Sequence, residues 1–450
     1  MSGLAAGIRL ANYGGKTLIL ERHYRIGGLN SYYRAGGYDM DVGLHAVTNY
    51  SPNGPKSAPM ARLMRQLRLK MADFKLAPQK VSRIVFPDVT LEFGNDFERF
   101  SQNVSEAFPS QKENFRKLVD RIREYDDLDL EIKPVSGREV VRSIITDPLL
   151  ADMIMLPIMY YGSAEEDDME FGQFVVIFKS VFFEGLSRPE GGIRVILDLL
   201  EKRYMDSGGE LRLRAGVSRI VTDNGKVSGV VLDNGEELEC GAVFSSAGLP
   251  ETVGMCPESA PDDASRLPGR ISLMESVNIL DTGADKLGAD ASVIFYNNAP
   301  GLSYRKPDEP VDVKSGVICF PGNFDYETAP GVDSVRITNL ADYEFWMSAD
   351  DNTYAGNKKA WHERSLEAAD AFMPGVKDRI VFSDVFTPRT ITKFTGRVNG
   401  AVYGSPVKSK NARTPVGGLY IVGADQGFLG IVGAMLSGVT VANIHLMSRQ

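Results

Sequence analysis

The sequence is poor in the residues that build metal and disulfide chemistry. Its 450 residues include three cysteines and four histidines. Cys240, Cys256 and Cys319 lie far apart with no CxxC pair, which excludes a disulfide framework and a thiolate zinc site. His23, His45, His362 and His445 show neither HxH nor HExxH spacing, so a metal enzyme is not expected. Positive charge is also short: 50 Lys and Arg stand against 59 Asp and Glu, a formal net charge of −9. A nucleic-acid partner would call for a basic face instead. No run of about 20 apolar residues is present, so no bilayer span is expected. No secretory signal is visible, and a cytoplasmic location is the expectation. What remains is an ordinary globular composition, 43% hydrophobic and 24% charged, in a chain long enough for two or more domains.

The two ends of the chain carry the clearest patterns. Ser2-Gly3-Leu4-Ala5-Ala6-Gly7 opens a small-residue helix over 3–13, Gly14-Gly15 ends it, and 16–21 reads as a short buried strand closing on Glu21. Ile26-Gly27-Gly28 follows. This is the back half of a dinucleotide-binding βαβ unit, with the acidic residue about 20 positions past the glycine turn. Gly3 lets the helix pack close to the sheet, and the helix N-terminus faces a pyrophosphate. Glu21 is placed to accept hydrogen bonds from ribose hydroxyls, and Gly27 and Gly28 let backbone N–H groups approach a cofactor. The expected first strand and first two glycines are absent, so the numbering reads as starting late, at an internal methionine.

At the other end, an apolar strand over 418–425 closes on Gly423-Ala424-Asp425 and leads through Gly427 and Gly430 into a helix over 431–447. That pattern suits a flavin. Asp425 is placed for the ribityl chain, and the helix N-terminus at Ile431-Val432-Gly433 would direct its partial positive charge at the pyrimidine end. Two α/β pieces at opposite ends predict one domain assembled from distant segments with another inserted. The expected fold class is therefore α/β, a discontinuous Rossmann-like domain, first strand truncated, with an inserted mixed α+β substrate domain. The boundaries are 1–75, 189–265 and 395–450 for the cofactor domain, and 76–188 and 266–394 for the insertion.

Between the ends, 58–69 predicts an amphipathic helix, 81–93 a hairpin and 97–130 a charged helical stretch. Residues 193–206 predict a helix bounded by glycines. Five short strands follow at 210–213, 217–222, 226–232, 237–238 and 242–245. Asn-Gly turns at 224–225 and 234–235 predict that they form one β-meander. The stretch 266–389 reads as strand-rich with one helix at 358–372.

Glu21-Arg22-His23, Gly27-Gly28 and Gly37-Tyr38-Asp39-Met40-Asp41-Val42-Gly43-Leu44-His45 resemble the FAD-dependent phytoene desaturase superfamily, nearest its carotenoid isomerase and retinol saturase branches. The resemblance continues through Pro189-Glu190-Gly191-Gly192, Val243-Phe244-Ser245-Ser246-Ala247-Gly248, Thr387-Pro388-Arg389-Thr390 and Gly400-Ala401-Val402-Tyr403-Gly404 to Gly423-Ala424-Asp425, almost the whole chain in order. It implies FAD as cofactor. It places Ser2, Gly3, Glu21, His23, Gly27, Gly28, Val217, Gly423 and Asp425 at the cofactor, with the Val217 backbone offered to adenine and Ile431 and Val432 beside the flavin ring.

It also implies an apolar, carotenoid- or terpenoid-like substrate and hydride transfer at carbon with flavin N5, in desaturation, saturation or redox-assisted isomerisation. His45 and Tyr403 are the catalytic candidates: His45 as an acid or positioning group near the flavin face, with a satisfied structural histidine as the other reading, and Tyr403 as an aromatic wall. Asp41 reads as a structural brace. Arg389 or Lys393 reads either as the holder of a polar substrate end or, equally, as a solvated surface charge.

Met153 to Tyr161 and Phe174 to Phe183 read as core helices whose side chains can also line a tunnel or dock peripherally on a membrane. The acidic run Glu165 to Asp168 reads as a solvated loop. Two other readings stand beside this one: an amine oxidase on a similar scaffold, and a flavin-binding or flavin-free protein without catalysis.

Overall fold

The computed structural model describes residues 1–126, 133–262, 264–328 and 330–447. The predicted charged helical stretch is two helices, Phe97–Ala107 and Lys112–Glu124. Its last positions, 127–130, lie outside the described residues.

The two ends of the chain pack together. The Ser2–Ala11 helix lies along the C-terminal Gly430–Met447 helix, and Gly438 allows the approach: a Cβ there would fall on the Ser2 carbonyl oxygen and 2.9 Å from the Ala6 nitrogen. Leu4, Ala5 and Ile8 from one helix and Ile431, Val432, Met435 and Val439 from the other enter one core with Ile193, Ile196, Leu197 and Leu200. The Gly430–Met447 helix is long and apolar enough to cross a membrane by length and composition, which the search for apolar runs did not anticipate. Half of it is buried inside the protein.

The parallel pairing near these helices falls into two short ladders. Leu18–Glu21 pairs in parallel with Glu210–Leu213, and Val243–Ser245 with Leu419–Ile421. The five-strand meander is therefore corrected. Only Val217–Asp223, Lys226–Leu232 and Glu237–Glu239 form one, while the outer two strands leave to pair with remote partners. The Asn-Gly turns are right locally, but long-range pairing overrides simple succession.

The inserted region is built on a seven-stranded sheet. In spatial order its strands are Ile380–Phe386, Leu273–Leu280, Asp333–Leu340, Ser315–Cys319, Val293–Asn297, Ser82–Phe86 and Val89–Phe93. One face packs against the Asp351–Asp370 helix through Leu366 and Ala369. That helix begins seven residues before the predicted start, capped by Asp350, whose carboxylate accepts from the Asn352 nitrogen. The opposite face meets Pro148–Gly162 and Phe171–Phe178, so both apolar stretches are core helices. Of their large apolar side chains only Val176 is exposed.

The acidic run is not a solvated loop. Asp167 Oδ1 accepts from the Tyr304 nitrogen at 2.7 Å, Glu166 Oε1 from the Lys306 nitrogen at 3.0 Å, and Asp168 Oδ1 from the Arg138 nitrogen at 2.9 Å. Four consecutive acids look solvated in sequence; here three of them receive remote backbone donors, two from the 304–306 loop and one from the first turn of the Gly137–Ile144 helix.

Candidate functional site

One cavity of about 1470 Å³ runs from the N-terminal helix to the inner face of the large sheet. A pocket for one small ligand takes roughly 300–1,000 Å³, so this volume has room for a cofactor beside a substrate.

Ser2, Gly3, Glu21, His23, Gly27, Gly28, Val217, Gly423 and Ile431 line it, as do all the residues of the facing strands Leu18–Glu21 and Val243–Ser245. The helix Ser2–Ala11 starts at its wall, and Gly423 brings the C-terminal segment within 3.1 Å of Ser2 Oγ, measured from the position a Cβ would take. Glu21 ends its strand with Oε1 accepting from the His23 nitrogen at 2.9 Å. The His23 ring packs on Tyr24 and edge-on to Phe394, and its Nε2 is buried with no hydrogen-bond partner among the described residues. A buried polar nitrogen of this kind is available to bond a ligand group. Gly27 and Gly28 have φ of 113° and 60°. A Cβ at Gly27 would strike the Asn30 oxygen at 2.7 Å, whereas Gly28 looks onto open space. A helix N-terminus, a glycine turn with left-handed backbone, an acid at a strand end and an unsatisfied imidazole nitrogen fit an adenine dinucleotide.

Two expected positions do not reach the cavity. Val432 is fully buried in the helix core, because the helix turns its side chain toward Leu4 and Met435. Asp425 is 1% exposed. Its Oδ2 accepts from the Leu249 nitrogen at 2.6 Å and its Oδ1 from the Ser405 nitrogen at 2.8 Å, with Arg397 at 3.3 Å and Lys408 at 3.7 Å. Its acceptor capacity ties three segments together instead of holding a ribityl chain. Burial pushes the Lys408 ammonium down to about 8, against the pull of Asp425.

The second half of the cavity rests on the sheet. Pairing aligns Phe386, Glu275, Thr338, Val317, Phe295, Ile84 and Leu91 in one row across all seven strands. Residues directly opposite in a ladder share a face, so this row, polar at Glu275 and Thr338 and apolar from Val317 onward, is a floor where the cavity meets it at Phe386, Glu275, Val317 and Phe295, and Ile84 and Leu91 continue it into the buried core. Tyr160, Tyr161, Val402 and Tyr403 also line this half. The Tyr403 hydroxyl donates to the Tyr160 carbonyl. Burial, with Glu275 nearby, raises its pKa and keeps it protonated.

His45 sits over the polar end. Its Nε2 is 2.9 Å from Thr338 Oγ1 and 3.7 Å from Glu275 Oε1. Burial pushes the imidazole down to about 4 and outweighs the upward pull of Glu275. His45 is therefore neutral at pH 7, and its contact with Glu275 is dipolar rather than an ion pair. Beneath it Arg336 bonds Glu275 Oε1 and, at 2.8 Å, the Asp41 carbonyl. Arg188 pairs with Asp41 at 2.5 Å and donates to the Leu44 and His45 carbonyls. Asp41 also accepts the Ile193 nitrogen at the start of the Ile193–Asp206 helix, so it is the structural brace its sequence context suggested.

Sequence reasoning missed Glu275, Thr338 and Arg336, whereas Tyr160 and Tyr161 end the stretch expected to line a tunnel. The available signal was one acid inside the strand Leu-Met-Glu-Ser-Val, where a buried carboxylate requires a partner. Arg389 and Lys393 are corrected. Neither lines the cavity; Arg389 bonds Asp351 and the Ala349 carbonyl, and Lys393 lies over the Phe394 ring.

A nucleotide-type wall built from both chain ends and continuous with an apolar chamber defines a flavoprotein oxidoreductase. Residues 1–332 match the family described as flavin containing amine oxidoreductase, and the chain belongs to it. The protein is a flavin-dependent oxidoreductase and its cofactor is FAD. It is 22% identical over 488 residues to prolycopene isomerase 2, chloroplastic, of an Oncidium hybrid cultivar, across 98% of this chain and 82% of that one. It is 25% identical over 532 residues to all-trans-retinol 13,14-reductase of Danio rerio, across 99% and 84%. The resemblance read from the motifs holds. The crystal structure of an oxidoreductase from Methanosarcina mazei superposes with a TM-score of 0.70 at 18% identity over 98% of each chain.

Proposed function

We propose that this oxidoreductase acts on a carbon–carbon bond of an elongated apolar substrate of carotenoid or terpenoid type, by desaturation, saturation or redox-assisted isomerisation. The observation that carries the reading is the sheet floor, where apolar Val317 and Phe295 on adjacent strands open into the same cavity as the nucleotide wall. The names of the isomerase and retinol-reductase relatives agree with it. In this reading segments 1–75, 189–265 and 395–450 hold the cofactor, and 76–188 with 266–394 hold the substrate.

FAD, when bound, supplies a reversible hydride acceptor at N5. Ser2, Gly3, Glu21, His23, Gly27 and Gly28 hold its nucleotide. Val217 offers its backbone at the adenine, and Ile431 contributes an apolar wall. Leu273, Val317 and Phe295 hold the substrate chain, and the tyrosines of the opposite wall exclude water. Neutral His45 is hydrogen-bonded through Nε2 to Thr338 Oγ1, and Tyr403 keeps its own proton, donating it to the Tyr160 carbonyl.

The test is anaerobic incubation of the FAD-loaded protein, oxidised and photoreduced, with acyclic polyenes of graded length. A flavin absorbance change together with a product altered by two hydrogens, or a geometric isomer, is the expected result. Peroxide release from primary amines with every polyene untouched would overturn the reading in favour of amine oxidation.

A further inference from the structure

We propose that Glu251 and Arg397 form a phosphate subsite in the cofactor wall, where Glu251 serves as a neutral carboxylic acid and donates a hydrogen bond from Oε2 to a phosphate oxygen. This rests on FAD as the cofactor and not on the substrate reading. Both residues line the cavity. The segments that carry them fix their place in it. A Cβ at Gly3, near the start of the Ser2–Ala11 helix, would stand 3.7 Å from Ser246 Oγ. Two residues on, a Cβ at Gly248 would fall on Glu251 Oε2 and Arg397 Nη1. Two residues of chain span about 7 Å at most, so the pair lies close to the helix N-terminus, the end that receives a pyrophosphate. Gly248 has φ of 127°, a conformation open to glycine, and leaves that space to the two side chains.

The Glu251 carboxyl group is half engaged. Oε1 accepts from the Val398 nitrogen at 2.8 Å. Oε2 is buried with no hydrogen-bond partner among the described residues, and Arg397 Nη1 stands 3.7 Å away. That Nη1 bonds Asp425 Oδ2 at 3.3 Å, while Arg397 Nη2 and Nε bond nothing among the described residues. Two free guanidinium donors and an unpartnered carboxyl oxygen therefore share one stretch of wall. The charge count decides which form of Glu251 fits. Asp425 and Glu251 face Arg397 and Lys408, two charges of each sign, and no other charged group among the described residues pairs with Glu251. A nucleotide pyrophosphate brings a negative charge on each phosphate. With Glu251 ionised, those charges meet a neutral cluster and a carboxylate. With Glu251 protonated from solvent, they meet a net positive charge and one more donor. Burial raises the Glu251 carboxyl group above the usual carboxylate range and Asp425 adds to the rise, against the pull of Arg397 and the Val398 N–H, so the proton is taken up at lower cost.

The experiment titrates the apoprotein with FAD, riboflavin and adenosine; the last two together carry everything in FAD except its phosphates. The range is about pH 5 to 7.5, below the point where Lys408 gives up its proton. Flavin fluorescence and, for adenosine, equilibrium dialysis read affinity, and a pH indicator in weak buffer reads proton uptake. Wild-type FAD affinity is expected to fall about tenfold or more as pH rises through that range, with proton uptake on binding. Riboflavin and adenosine are expected to show neither effect. Glu251→Gln keeps the Val398 acceptor and a neutral donor in place. It is expected to hold FAD at the wild-type low-pH affinity throughout and to abolish the uptake. The wild-type comparison of the three ligands needs no variant, so it stands even if Glu251→Gln fails to fold. A flat wild-type FAD profile, the same dependence with riboflavin or adenosine, an unchanged dependence in Glu251→Gln, or weaker FAD binding by that variant at every pH overturns the proposal. No FAD binding at any pH overturns the cofactor assignment and the proposal with it. The carbon–carbon reading is tested by turnover and stands or falls separately.

Discussion

Gly438→Ala probes the contact that brings the two chain ends together. In an open helix interior, replacing glycine by alanine stabilises by about 0.8–1 kcal/mol through propensity alone. At 438 the added methyl would fall on the Ser2 carbonyl oxygen and 2.9 Å from the Ala6 nitrogen, and both are backbone atoms that no rotamer change can move. The helices Ser2–Ala11 and Gly430–Met447 must part, and overpacking of this kind costs about 1–3 kcal/mol. The propensity gain offsets part of that, so a net loss of up to about 2 kcal/mol is expected. Parting the helices also moves Ser2 and Gly423 on the cavity wall, so FAD affinity falls with stability. Gly356→Ala is the control: it lies in the helix Asp351–Asp370 with nothing within 4 Å of the new methyl, and it should gain stability and leave FAD binding alone. Urea unfolding and flavin-fluorescence titration read both quantities. If Gly438→Ala matches Gly356→Ala in both, the two helices do not pack as described and the reasoning fails.

Three further outcomes follow from the site. His45 has its pKa depressed from 6.5 to about 4, so the unfolded chain binds its proton more readily. Wild-type stability should therefore drop as pH falls from 6.5 toward 4 by up to about 3 kcal/mol at 1.36 kcal/mol per pH unit, and the difference from His45→Gln should shrink over that window in pH-dependent urea melts. Asp425→Asn removes the carboxylate facing buried Lys408 and Arg397, and a loss of about 3–5 kcal/mol is expected in thermal or urea unfolding, the range for breaking a buried pair. Tyr403→Phe deletes a hydroxyl that, among the described residues, bonds only the Tyr160 carbonyl. It should cost about 1 kcal/mol of stability and leave FAD affinity unchanged, which the same titration checks.

Local structure was legible where a few adjacent residues decide it. The helix over 193–206 was placed correctly because glycines bound it on both sides. Asp41 read as a brace, but its donors, Arg188 and the Ile193 nitrogen, are remote in sequence and not from its own loop. The half-motif at 2–28 placed helix, strand and glycine turn correctly because their spacing is set by one compact unit. The pairing of strands was not legible. Nothing in 210–213 says that its partner is 18–21, nor in 243–245 that its partner is 419–421. The same limit produced the Asp425 correction: an acid after Gly-Ala resembles a ribityl acceptor, but the donors that claim it, Leu249 and Ser405, come from other segments. Glu275 was invisible for a related reason. Its meaning comes from Thr338 beside it in the ladder and His45 above it, both distant in sequence.

The account depends on one wall, built by both chain ends, gripping the adenosine half of FAD through Glu21. The direct measurement is titration of the apoprotein with FAD, FMN and riboflavin, for wild type and Glu21→Ala. Wild type should prefer FAD, and Glu21→Ala should lose about tenfold in FAD affinity, the scale of a charged hydrogen bond, with FMN and riboflavin unchanged. Identical FAD affinity in the two proteins, or an equal loss for all three flavins, would contradict it.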